Sequence, residues 1–363
     1  MTERPGDGIK LLTSHRIDFD TYEQMLDEFD RREWGDGLPV VPATPEIVAR
    51  FVAASGRPGT DVVGDIPPSW GEATVEKVAI NAVMAGCRAE FMPVVLTALE
   101  AMLVESFNLY GLQATTHPAA PMVVVSGPIA TTLGINGGYG AFGPGARANA
   151  TIGRAIRLIL LNVGGARPGI GDRSTQGQPS KYTYCVAEND EATPWEPLRV
   201  SEGFDVSDSI VALGAVENPH NINDHGSFSG EQILTTIAGA MKNGGANNLY
   251  FGGTHTFLFI CPEHAQQIAA DGYTRADIQQ FLFENARTPV SSLGSGQLHY
   301  MRQRHRANPR YKELGMDDPD LKAIPMMTRP EDLKIVVLGG AGKHSSWTPP
   351  TGALSKSVMR RLS

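Results

Sequence analysis

The stretch from Pro121 to Gly165 limits the fold more than any other part of the chain. It opens on an apolar, valine-rich run, Met122-Val123-Val124-Val125, which breaks at Ser126-Gly127-Pro128. A glycine-rich passage runs from Gly134 to Gly145, and an apolar, arginine-bearing helix pattern follows from Ala146 to Val163. Strand, pliable loop and helix start, in that order, are how α/β proteins build small-ligand sites, because the unpaired N–H groups at a helix N-terminus attract anions.

The rest of the chain repeats this alternation. Helix patterns cover Phe19 to Trp34, Thr44 to Ala54, Thr74 to Ala85, Glu90 to Val104, Ser229 to Met241 and Thr274 to Ala286. Strand patterns cover Gly111 to Thr116, Tyr182 to Ala187, Ser209 to Val216 and Lys334 to Leu338, and Leu249 to Ile260 reads as strand–bend–strand. Residues 1–16 read as an arm, 55–72 and 164–183 as loops, 288–330 as an irregular covering segment and Gly352 to Ser363 as a basic tail. The expected fold is α/β with mixed sheets, in two lobes around a loop-lined cleft. Residues 1–200 would form the lobe with the glycine-rich anion loop, and 201–363 the lobe with histidine-bearing loops. Loops 134–151, 217–226, 252–256 and 340–346 would line the cleft. Gly71-Glu72 and Gly230-Glu231 hint at an internal duplication, but two matching residues favour coincidence.

Composition removes several function classes. The net charge of −8 and the lack of a basic stripe disfavour a nucleic-acid partner. Three cysteines, Cys87, Cys185 and Cys261, are too few and odd for a disulfide framework, which points to a reducing, cytoplasmic setting. No apolar run reaches the roughly 18 residues of a membrane span, and Met1 to Lys10 lacks an apolar signal core.

The chemistry-bearing residues fall on loops. Gly143 leads toward the helix start, where Arg147, Asn149 and Thr151 stand in the first turns, and Arg147 can hold a carboxylate or phosphate bidentately. Gly138 to Gly143 matches the dinucleotide string, but it stands well beyond the strand end and lacks the later acidic residue, so no NAD site of the usual kind is expected. Gly339 to Ser346 departs from the phosphate-cradling loop of nucleotide hydrolases at Val337 and His344, yet it presents Lys343, His344 and Ser345 at a strand end. His225 or His344 can move a proton, and Glu188 can assist if it faces a pocket. His220, His225 and His255, with Asp224 and His344 nearby, offer an alternative set for a transition metal. Cys185 and Cys261 read as packing residues, as does His264, and Cys87 sits at a helix end that disfavours a thiolate.

Four segments carry a resemblance: Ala79 to Cys87, Arg147 to Arg154, Cys185 to Asn189 and Gly340 to Ser345. Together they resemble a largely uncharacterised bacterial family associated with gene neighbours that bear a Sec/Cys-Gly-Ser-Cys motif. The resemblance spans most of the chain. It implies a protein partner with redox or sulfur chemistry and brings no catalytic residues with it. The reading that results is an enzyme of the lyase or hydrolase kind acting on a small anionic substrate. A transition-metal enzyme and a non-catalytic, substrate-presenting subunit of a redox or sulfur system are the alternatives, and an oligomer is compatible with each.

Overall fold

Two four-stranded sheets carry the architecture of the computed structural model, which describes residues 12–251, 254–306, 309–316, 318–351 and 355–362. Before them come β1 (Val62–Ile66) and β2 (Gly71–Thr74), a hairpin that begins inside the expected 55–72 loop and ends two residues beyond it. The later strands are β3 (Ala120–Ser126), β4 (Cys185–Ala187), β5 (Ile210–Val216), β6 (His220–Asn223), β7 (Thr256–Ile260), β8 (Arg287–Pro289), β9 (Ala323–Pro325), β10 (Leu333–Val337), β11 (His344–Thr348) and β12 (Val358–Arg361). One sheet runs β12-β5-β3-β4 and the other β10-β7-β11-β6.

The two sheets repeat one pattern. In the first, β3 and β4 are parallel, and β5 and β12 follow antiparallel on the other side of β3. In the second, β7 and β10 are parallel, and β11 and β6 follow antiparallel on the other side of β7. The fourth strand is exchanged. The chain leaves β5 to become β6 of the second sheet, and leaves β11 to end as β12 of the first. The two crossings touch, with Glu217 N donating to Pro349 O at 2.8 Å. Sheet membership therefore does not divide at residue 200. The likeness lies in this strand arrangement, and the two Gly-Glu pairs do not share it, since Gly71 starts β2 and Gly230 starts the helix Gly230–Met241.

Side chains alternate along each strand, so each sheet has two apolar faces. Val123, Val125 and Leu213 face the helices Val75–Ala85, Met92–Met102 and Arg147–Asn162. Leu258, Ile260, Ile335 and Trp347 face the helices Gly230–Met241, Pro262–Ala270 and Arg275–Asn285. Between the sheets, Met122, Val124, Val186 and Ala212 meet Phe257, Phe259 and Val336. The layers are helix, sheet, sheet, helix. The α/β class with mixed sheets holds, and a packed apolar layer fills the space between the two sheets.

Local signals explain the other differences. Gly111 to Thr116 is not a strand, because Asn108 caps a helix, Leu109–Ala114, by accepting from Gly111 N. The start of the expected strand at Leu249 lies in the helix Asn248–Phe251, and Gly252-Gly253 lie outside the described residues. The covering segment holds the helices Ser295–Arg306 and Pro309–Glu313, with the antiparallel β8–β9 pair at its two ends. Residues 1–11 of the arm and 352–354 of the tail lie outside the described residues, as does Ser363. Among the described residues no single helix is long and apolar enough to cross a membrane.

Candidate functional site

Where β7 ends, Cys261 is the N-cap of the helix Pro262–Ala270, with Pro262 at its first position. His264 lies in the first turn of that helix. Neighbouring β11 supplies Ser345, whose hydroxyl oxygen accepts the Cys261 N–H at 3.1 Å. The same oxygen lies 2.8 Å from His264 Nδ1 and 3.7 Å from Cys261 Sγ. On its far side, His264 Nε2 is 3.0 Å from the carbonyl oxygen of Asp224. A carbonyl can only accept, so the network assigns the proton to Nε2 and leaves Nδ1 as the basic nitrogen. The chain of contacts therefore reads Asp224 carbonyl, imidazole, hydroxyl, thiol.

Electrostatics single out this thiol. Burial pushes Cys261 up, but hydrogen bonds from His264 and Ser345 and the imidazole's charge outweigh it, and the thiol lies below the ordinary value. Burial pushes His264 down, yet Cys261 and the Asp224 carbonyl hold it above the ordinary imidazole value. The N-terminus of the helix acts in the same direction on a thiolate. In contrast, burial drives Cys87 up to about 12 and raises Cys185 further. Cys261, His264 and Ser345 are 2%, 1% and 1% exposed, so the relay is formed inside the protein rather than on its surface.

The like arrangement of the two sheets supplies a comparison. Val125 and Ile260 are the last helix-facing residues of the two central strands. With those two matched, Ser126 stands where Cys261 does. Val211, opposite Val125, stands where Ser345 does, one register step beyond the Ser346–Phe259 pair. The helix after β3 opens with Pro128, Ile129 and Ala130 and carries no histidine there. The strand–helix junction thus forms without the thiol, imidazole and hydroxyl, so packing alone does not call for them.

Around this relay the structure gathers several residues expected from sequence. Lys343 O accepts from Asp224 N at 3.2 Å, joining the loop before β11 to the loop after β6. Exposed His225 and His344 face each other, their Nε2 atoms 3.4 Å apart. Gly342 N donates to Glu263 at 3.1 Å, which holds the glycine loop against the helix start. The loop also meets the glycine-rich passage of the first half. Gly339 N donates to Gly137 O at 2.8 Å, and the Tyr139 ring lies so close to Gly340 that a Cβ there would be 2.2 Å from Tyr139 Cδ1. Only glycine fits at 340 while that ring stays in place.

Other expected residues go elsewhere. Arg147 donates from Nε to Gly86 O at 3.0 Å and from Nη2 to Cys87 O at 3.3 Å, so two of its donors close a helix end. Asn149 is buried, accepting from Asn136 N and donating to Asn136 O and Ala141 O, which clamps the glycine-rich loop. The Thr151 hydroxyl returns to Arg147 O within its own helix, and Gly143 N closes a turn onto Gly140 O. Glu188 has a fully buried side chain. It accepts from Ser126 and Leu198 N and pairs with Arg275 at 3.5 Å, which makes it a pin between elements rather than an acid facing a pocket.

The expected metal set does not assemble. His220 stands opposite Trp347 at the start of β6, whereas His225 lies beyond the other end of that strand. His255 lies just before β7, at the opposite end from Cys261, and its Nδ1 is 2.6 Å from Ser357 Oγ. Ser357 N also donates to that nitrogen at 3.2 Å, which requires it unprotonated. Burial and the Lys334 charge, against Asp332, hold His255 down at about 4. The unfolded imidazole near the ordinary 6.5 binds protons first, so stability is complete above that pH and falls as the pH drops to about 4. Urea unfolding should show a loss near pH 4 that His255→Asn reduces by about 3 kcal/mol. An equal loss in both proteins would exclude His255 as the titrating group.

Comparison of the chain with protein-family models, curated proteins and solved structures finds no match. Sequence reading missed Cys261 and His264 as a pair. The available signal was Cys-Pro-Glu-His at a strand end, where an N-cap residue and the residue three on share one helical turn.

Proposed function

We propose that the protein is an enzyme of the hydrolase kind that acts on a small anionic substrate through a Cys261 thiolate. The observation that carries this reading is the Asp224–His264–Ser345–Cys261 chain, with the imidazole tautomer set by a carbonyl and its basic nitrogen aimed at the hydroxyl beside the thiol. In the resting relay Ser345 passes the thiol proton to His264, giving a thiolate and an imidazolium. The thiolate adds to an acyl carbon, a C–S bond forms, and the leaving group departs with the imidazolium proton. Water then cleaves the thioester, returning a proton to His264 and releasing the acid. Lys343 supports the anionic substrate class, since among the described residues its ammonium has no ion-pair partner and it stands beside His344.

A burst experiment with p-nitrophenyl acetate tests the reading. One equivalent of p-nitrophenol should appear, with an acetyl group on Cys261 by peptide mass analysis. Cys261→Ser should abolish the burst and Ser345→Ala should slow it. A burst that survives Cys261→Ser would remove the nucleophile.

A second reading rests on the same thiol. Phe228 and Tyr139 are 88% and 73% exposed on the loops that border the relay, and exposed aromatics favour a protein partner. In that case the thiolate would exchange with a sulfur of a redox partner, in keeping with the family resemblance.

A further inference from the structure

We infer that His225 and His344 form a preorganised two-histidine chelate for a divalent transition metal of the zinc type. Their rings are inclined at 73°, and their Nε2 atoms face each other at 3.4 Å. That separation is long for a hydrogen bond, whose heavy atoms usually lie about 2.7–3.2 Å apart. It does match the edge of a coordination tetrahedron. With zinc–nitrogen bonds of about 2.0–2.1 Å, two ligand atoms of one tetrahedron stand roughly 3.3–3.4 Å apart.

The surroundings fit a ligand pair. His344 Nδ1 lies 3.1 Å from Asn221 Oδ1. The amide oxygen accepts, so the proton sits on Nδ1 and the Nε2 lone pair points outward, which is the usual outer-shell arrangement of a histidine ligand. His225 is held by its neighbour. The Asp224 carboxylate accepts from Ser227 N at 2.9 Å and from Ser227 Oγ at 2.7 Å, and Asp224 N is tied to Lys343 O. Both ligands therefore come from stiff backbone, one from a strand start and one from a braced turn.

Among the described residues no third histidine, cysteine or carboxylate completes a set of three. Two tetrahedral positions remain for water or for a chelating anion such as a 2-hydroxycarboxylate. The pleat of β11 turns His344 and Ser345 to opposite faces, so the chelating imidazole and the relay hydroxyl occupy different faces of the strand.

The test is a Co2+ titration followed by visible absorption, with Zn2+ calorimetry in parallel, on tag-free Cys261→Ser protein so that no thiolate competes. One equivalent should bind per chain and give tetrahedral d–d bands. His225→Ala and His344→Ala should each weaken binding at least about tenfold, Asn221→Ala should weaken it by about tenfold, and His220→Ala should leave it unchanged. Circular dichroism of each variant separates lost binding from lost folding. Equal affinity in the His225, His344 and His220 variants would overturn the site, as would the absence of saturable binding. A Co2+ spectrum indifferent to added lactate would overturn the open positions.

Discussion

Alkylation of Cys261 at pH 7 is expected to slow by about tenfold or more when His264 is replaced by alanine. The thiol is pulled two ways. Burial favours the neutral form, while His264 and Ser345 favour the thiolate and prevail. Removal of the imidazole leaves burial in control, the situation in which Cys87 stands at about 12. Each unit of upward shift divides the thiolate fraction at pH 7 by about ten. Iodoacetamide labelling from pH 5 to 11, read by peptide mass analysis and scaled to the high-pH plateau, separates thiolate formation from access to a buried sulfur. The wild-type profile should turn below the ordinary thiol value and the variant profile above it. Coincident profiles would mean that His264 does not govern the thiol. Ser345→Ala should fall between the two, because it breaks the proton relay and leaves the Cys261 N–H without its acceptor.

Phe257→Ala should cost about 3–5 kcal/mol of unfolding free energy. Phe257 is fully buried between the two sheets, stacked with Phe259 at 6.1 Å and pressed against Gly214 of β5. A side chain on a cleft wall would lose far less on truncation, because water already reaches it. Gly214→Val approaches the same layer from the other sheet. A Cβ at 214 would lie 2.7 Å from Phe257 Cε2 and 3.1 Å from Met122 Cε, so overpacking should destabilise by about 1–3 kcal/mol. Denaturant unfolding checks both. Near-neutral values would mean that the sheets do not share a core.

Where the chain announces its elements, it does so through local physics. Thr274 and Asp277 specify the start of the helix Arg275–Asn285 because their side chains and backbones satisfy each other within one turn. The apolar run at Met122 to Val125 becomes an interior strand because neither of its faces can be left to water, and the run Leu333 to Val337 becomes a buried edge strand whose one charged group, Lys334, is paired with Glu202. Gly111 to Thr116 misled because its helix depends on the cap at Asn108, a single polar contact that outweighs a weak local pattern.

The candidate site divides in the same manner. Lys343, His344 and Ser345 were legible, since a glycine cluster after an apolar strand leaves polar groups at a strand end. Arg147 and Asn149 were legible as polar groups at a helix start, but a helix start also needs its loop and its neighbours capped, and that need uses both side chains. His264 and Cys261 share a turn in the sequence, yet their third member is 81 residues beyond His264 on β11.

The sequence by itself determined the α/β class, most element types and the polar strand ends, because periodicity and capping act over a few residues. Tertiary structure alone decided that the two sheets stack face to face and exchange their last strands. It also decided that His225 meets His344 rather than His220 or His255, and that the carbonyl of Asp224 orients His264 toward Ser345 and Cys261. Those outcomes depend on strand order and register, which bring together residues separated by tens to more than a hundred positions. No local pattern encodes such distances, and burial of both faces of each sheet selects them.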